Sequence, residues 1–362
     1  MRGAWLAPAA LVAALASAPP AIADGDLTLR TVYYKERATR VEQPMVDGRF
    51  DVGDHGSVDG HLLVDAITSA SVAAGADGAG FSERRVEGGL GYAHTFGRLT
   101  AGITGRYSSE PDYTSSFVTA RLQAELAQKN FTLAVVGGVG TDEVTNAGAP
   151  PLVPRIRGAL DAYLVSASVT QLLGATTLAS VTYDLSYLDG FQQNPYRMVV
   201  AGGTVVGERH PTTRLRQAIA ARVRRYLPAT STTVIAGYRL YRDDWGVVAH
   251  TPELRVVQEA GDTMDVALGY RLHHQRGADF WSESYASADP MTQPYLTADG
   301  KLATMTTQAL AVTFGVTGAT FGWDDRWAAV RGELRVEYYL QDNRYFGNAG
   351  IAHAALTIPF EY

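Results

Sequence analysis

The stretch TRLRQAIAARVRRYL, residues 213–227, alternates at period two: Leu215, Ile219, Ala221, Val223 and Leu227 fall on one face, and Arg214, Arg216, Arg222 and Arg224 on the other. Successive side chains of a β-strand point to opposite faces, so the spacing describes a strand with one apolar and one strongly cationic side. A water-soluble sandwich also alternates. What marks a membrane-spanning strand is the segregation of charge, because a charged residue at the lipid midplane costs about 2–4 kcal/mol. The arginine row is therefore expected to face a wet lumen and the aliphatic row to face lipid. Arg225, and Arg242 on a later strand, break the rule close to strand ends, where a long basic side chain reaches the headgroups.

Neighbouring segments repeat the pattern. Over 177–187, Ala179, Val181, Tyr183, Leu185 and Tyr187 oppose Leu178, Ser180, Thr182, Asp184 and Ser186. Over 327–341, Val330, Leu334, Val336, Tyr338 and Leu340 oppose Arg331, Glu333, Arg335, Glu337, Tyr339 and Gln341. Strands read near 26–36, 40–52, 57–70, 83–95, 98–109, 113–127, 131–142, 156–171, 176–188, 212–227, 231–243, 247–259, 263–275, 302–317, 327–341 and 350–362 number sixteen. The range stays at 14–18, since a hairpin within 198–206 would add strands to the wall. Connections alternate between compact turns, such as 53–56, 96–97 and 228–230, and long loops at 71–82, 143–155, 189–211 and 276–301. Short turns at one end and long loops at the other are the arrangement of outer-membrane barrels. The expected fold class is all-β: a transmembrane antiparallel up-and-down β-barrel, both ends periplasmic, with no room for a plug domain.

Residues 1–23 read as a signal peptide: Arg2, an apolar stretch over 5–18, then Ala21-Ile22-Ala23 as a small-x-small cleavage site, leaving 24–362 as the barrel. No later run approaches the ~18 apolar residues of a membrane helix. A net charge of −6 without a basic cluster speaks against nucleic acid, and the absence of cysteine removes thiolate metal sites and a lipidated anchor. The 19 tyrosines suit aromatic girdles at the two interfaces.

Several phrases carry a family resemblance: Tyr187-Leu188-Asp189-Gly190, Asn194-Pro195-Tyr196-Arg197, Glu208-Arg209-His210-Pro211, Tyr226-Leu227-Pro228, the run from Tyr238 to Trp245, His250-Thr251, Tyr270-Arg271, Gln275 and Ala278-Asp279-Phe280. Together they resemble a family of outer-membrane proteins of Gram-negative bacteria catalogued as domain of unknown function 3570, most strongly over 187–280. The resemblance implies a barrel and supplies no substrate, catalytic residue or ligand.

The feature with functional promise is the charged lumen face: Arg214, Arg216, Arg222, Arg224, Arg239, Arg255 and Arg271, with Glu253, Asp265, Arg331, Glu333, Arg335 and Glu337. Either Glu253, Glu259, Asp265, Glu333 and Glu337 neutralise the arginines as ion-pair ladders, or unpaired arginines favour anionic solutes. His273 and His274 are adjacent and point to opposite faces, so they do not chelate together; His210, His250 and His273 with Asp243 or Asp279 would need to converge. No metal, no cofactor and no catalytic residues are expected: no nucleophile and base are paired by spacing, and Gly137-Gly138-Val139-Gly140 lacks the lysine of a phosphate loop. The expected function is a passive outer-membrane channel or solute-uptake barrel, not an enzyme. The rival is a barrel that serves as binding or assembly partner for another envelope protein, its lumen filled by loop 189–211 or 276–301. Expected partners are outer-membrane lipid, small solutes, and the barrel-assembly machinery reading the last strand, which ends at Tyr362.

Overall fold

The computed structural model describes residues 24–37, 39–69, 81–147, 155–342 and 346–360. The signal peptide read at 1–23 and the terminal Tyr362 lie outside them. The first nine alternating segments become β1 (Gly25–Lys35), β2 (Thr39–Val52), β3 (Gly56–Ser69), β4 (Phe81–Phe96), β5 (Leu99–Glu110), β6 (Tyr113–Leu126), β7 (Phe131–Thr145), β8 (Arg157–Gly174) and β9 (Thr177–Gly190). A loop carries the short β10 (Met198–Ala201) and β11 (Thr204–Gly207). Then follow β12 (Thr213–Leu227), β13 (Thr232–Asp243), β14 (Val248–Ala260), β15 (Met264–Arg276), the two-residue β16 (Ser284–Tyr285), β17 (Met305–Thr317), β18 (Arg331–Gln341) and β19 (Ala349–Phe360).

All but β10, β11 and β16 form one closed antiparallel ring of sixteen strands, in which each strand pairs with its neighbours in the chain and β1 closes on β19, Gly25 opposite Phe360 and Leu29 opposite Leu356. Closure leaves the wall no free sheet edge, as a hydrocarbon surround demands. Two strand starts differ from the sequence reading by three or more residues. Residues Gly300–Leu302 and Asp325–Ala329 form 3-10 turns, so β17 begins at Met305 and β18 at Arg331. The hairpin within 198–206 forms, but outside the wall.

Ion pairs decide which face is inside. Strands lie about 4.8 Å apart, so second neighbours sit about 10 Å apart and their side chains meet only on the concave face. Arg222 on β12 reaches Glu253 on β14, and Arg331 on β18 reaches Asp265 on β15, each over one intervening strand. The charged rows therefore line the lumen. The opposite rows, including Ile103, Val139, Ile219, Leu268, Val312 and Val336, are exposed on the outside, where lipid would cover them. Tyr163, Tyr187, Tyr238, Tyr270 and Tyr338 stand on that outer face toward the long-loop end, and Phe321, Trp323 and Trp327 mark the short-turn end.

The most enclosed apolar packing sits above the wall. Loops 191–212 and 277–304 fold together as a cap: β11-β10-β16 form a small sheet, Arg209 bridges to Leu296 and Trp281 to Thr297. Val199, Ala201 and Leu296 make one buried cluster, and Trp245, Val247, Ala278 and Leu302 another, against Phe280 and Trp281.

Candidate functional site: lumen wall and capped mouth

Every residue of the charged set lies on the inward parity of its strand, and the structure divides the set in two. Arg222 donates to Glu253 from Nε and Nη2 at 3.1 and 2.6 Å. Arg214 donates to Asp243 from Nε at 2.9 Å and lies over the Trp245 ring, 4.2 Å from its centre. Arg331 meets Asp265 at 2.5 Å and Glu333 at 3.8 Å, Arg271 meets Glu337 at 3.4 Å, and Arg335 also pairs with Glu337. Among the described residues no carboxylate lies within 4.0 Å of Arg216, Arg224, Arg239 or Arg255. Of the neutralising acids expected from sequence, Glu259 instead accepts from the Tyr226 hydroxyl at 3.3 Å.

Two lumen cavities run along this wall. One, of about 590 Å³, is lined by Ser180, Thr182, Asp184, Arg222, Arg239, Thr251, Glu253, Arg271 and His273. Another, of about 260 Å³, is lined by Arg224, Arg255, Arg271, Arg335 and Glu337. Two glycines let the second-neighbour pairs form. A Cβ on Gly237 would lie 2.6 Å from Glu253 Oε1, and one on Gly315 would lie 2.6 Å from Asp265 Oδ2.

A charge row on the N-terminal strands was missed in the sequence. Asp47 on β2 accepts from Arg30 Nε on β1 at 2.9 Å and contacts His61 Nδ1 on β3 at 2.6 Å; Glu87 on β4 lies 3.7 Å from His61 Nε2 and 3.3 Å from Arg106 on β5. They are spread over five strands, so no single segment shows a cluster. Toward the long-loop end the same side carries Asp65, Glu83, Glu110 and Asp112, with Arg85 3.5 Å from Asp65. Arg255 on β14 stands on the opposite side of the ring.

The cap holds a buried polar cluster that was also missed, although Glu208 and His210 stand in one of the quoted phrases. Arg197 pairs with Asp299 at 2.8 Å and Glu208 at 3.4 Å, Thr297 Oγ1 donates to Glu208 at 2.7 Å, and His210 Nε2 lies 3.6 Å from Glu208. Burial pushes the Glu208 carboxyl up, against the pull of Arg197, and pushes the His210 imidazole down to about 4. His210 is therefore neutral at pH 7, packed edge-on to Trp245 and against Phe280. Tyr196 donates to Asp112 in the β5–β6 turn, which ties the cap to a distant part of the rim. The histidines do not converge: His250 faces outward on Tyr238, His273 faces inward on Thr251, and among the described residues no three His, Asp or Glu gather as metal ligands.

No curated protein sequence matches the chain. Among solved structures, a bacterial polysaccharide outer membrane secretin superposes with a TM-score of 0.53 at 6% identity, covering 93% of this chain and 98% of that one. CdiB from Acinetobacter baumannii gives 0.53 at 8% identity, with 93% of this chain covered, which spans 60% of the CdiB chain. OccK8 (OprE) of Pseudomonas aeruginosa superposes more loosely, at 0.47 and 8% identity, with 93% and 98% covered. At such identities the likeness speaks to the fold alone. The family model described as "Protein of unknown function (DUF3570)" matches residues 72–357, and the chain belongs to that family.

Proposed function

We propose that the chain is an outer-membrane channel that passes small solutes, anions ahead of cations, with both termini and the short turns on the periplasmic side. The observation that carries this reading is the set of four lumen arginines, Arg216, Arg224, Arg239 and Arg255, that have no carboxylate within 4.0 Å among the described residues. Unpaired charge of one sign on a wet wall selects permeants of the other sign. The lipid-facing rows and the last strand belong to the same reading: the machinery that inserts such barrels would read the segment ending at Tyr362, and deleting 360–362 should reduce insertion.

Planar-bilayer recordings of the refolded mature chain in asymmetric salt test the proposal. Stepwise conductance with a reversal potential on the anion side supports it, and the absence of conductance defeats it. A second reading, a docking barrel for another envelope protein, rests on the outer face of the cap. Met198, Val200, Val205 and Met291 are exposed there, and β11 is an edge strand.

A further inference from the structure

Below the cap lies a cavity of about 360 Å³ that neither the wall nor the cap fills. Its two sides differ in chemistry. Leu160 and Leu188 on the barrel wall, with Phe191 and Trp245 from the mouth, supply an apolar surface. Arg197, Arg214, Arg216 and Lys301 supply cationic groups, beside one carboxylate, Asp299, which is paired with Arg197 at 2.8 Å. Arg214 is committed to Asp243 and to the Trp245 face. Arg216 is not committed: no carboxylate lies within 4.0 Å of it among the described residues, and its Nε is covered from solvent with no acceptor. Gln192 and His210 also line the cavity; Gln192 Oε1 is covered and has no hydrogen-bond partner, whereas His210 Nε2 is turned to the Glu208 carboxylate, 3.6 Å away. Gln192 is not simply turned the wrong way, since its Nε2 already donates to the Thr212 carbonyl at 2.8 Å.

Buried polar atoms are almost always satisfied, so two orphans around one space, on Arg216 and Gln192, point to a ligand that completes them. A guanidinium offers a planar fork that matches a carboxylate. An inorganic anion would satisfy the fork but leave the Leu160, Leu188 and Phe191 wall uncovered. The volume sits at the low end of ligand pockets, which run roughly 300–1,000 Å³. We propose that the space between the cap and the lumen wall is a binding site for a small organic monocarboxylate with an apolar body, its carboxylate held by Arg216 and its body laid on Leu160, Leu188 and Phe191. The site deepens the channel reading by naming the solute class that is retained at the mouth.

The test is calorimetric titration of the refolded full barrel in detergent with three probes. Benzoate carries charge and body, acetate carries charge alone, and benzyl alcohol carries the body alone. Benzoate should bind at least tenfold tighter than either of the others; equal binding of benzoate and acetate, or no benzoate binding, overturns the site. This comparison needs no variant and so does not depend on one folding. Arg216→Gln should weaken benzoate at least tenfold while Arg326→Gln, at the short-turn end, leaves it unchanged; the same affinity in both variants overturns the assignment to Arg216. Bilayer conductance separates the two readings. A barrel that binds benzoate but does not conduct keeps this site and loses the channel, and one that conducts without binding benzoate does the reverse.

Discussion

The Arg222 guanidinium reaches the Glu253 carboxylate over an intervening strand, Nη2 to Oε1 at 2.6 Å, directly above Gly237, which pairs in register with both residues. A side chain on Gly237 would stand where the Glu253 carboxylate lies. Gly237→Val should push the carboxylate aside and destabilise the barrel by about 1–3 kcal/mol, the usual range for steric insertion into a packed contact. Urea titration in lipid vesicles measures the loss. In combination with Glu253→Gln the two changes should be clearly non-additive; simple additivity would show that the glycine does not serve this pair.

Ile219 and Arg222 lie on opposite faces of β12, the first exposed on the outside and the second in the lumen. Ile219→Arg should cost about 2–4 kcal/mol of folding stability in lipid, as a charge at the midplane does. Arg222→Ala should cost under about 1 kcal/mol, because its exposed ion pair with Glu253 is screened by lumen water. Equal losses in vesicle unfolding would mean that the faces are reversed.

Arg224 and Arg255 share a lumen cavity and have no carboxylate within 4.0 Å among the described residues. Replacing both by alanine should move the reversal potential in a salt gradient toward cations. An unchanged potential would show that this part of the wall does not face the ion path.

Acid should loosen the cap through His210. Its imidazole is held at about 4 by burial, below its ordinary value of 6.5. The unfolded cap therefore takes up a proton that the folded cap refuses, and stability is lost as pH falls from about 6.5 toward 4. Glu208 acts in the opposite sense, since its raised carboxyl favours the folded cap once protonated. His210→Phe removes the first effect and keeps the ring packing. Tryptophan fluorescence followed against pH should show a transition between 6.5 and 4 in the wild type that the variant lacks; the same transition in both would clear His210.

What the sequence determined by itself is the wall. The spacing of Leu215, Ile219 and Val223 against Arg214, Arg216, Arg222 and Arg224 is a local property, since a strand needs only its own alternation to set its two faces. Repetition of that pattern, with short and long connections in turn, was enough to set the order of the strands, which row faces lipid and a count near sixteen within 14–18, which ring closure then fixed at sixteen. The tertiary structure alone decided which charges are neutralised. Arg222 finds Glu253 only because closure curves the wall inward and Gly237 leaves the crossing open, whereas Arg224, one alternation away, finds no carboxylate. It also decided the cap. Val200 pairs with Ser284 and Arg197 with Asp299 across loops that show no periodicity, so nothing in either segment announces the other. Their contact comes from the barrel holding the ends of β9, β12, β15 and β17 at one rim, which makes a long-range pairing local in space.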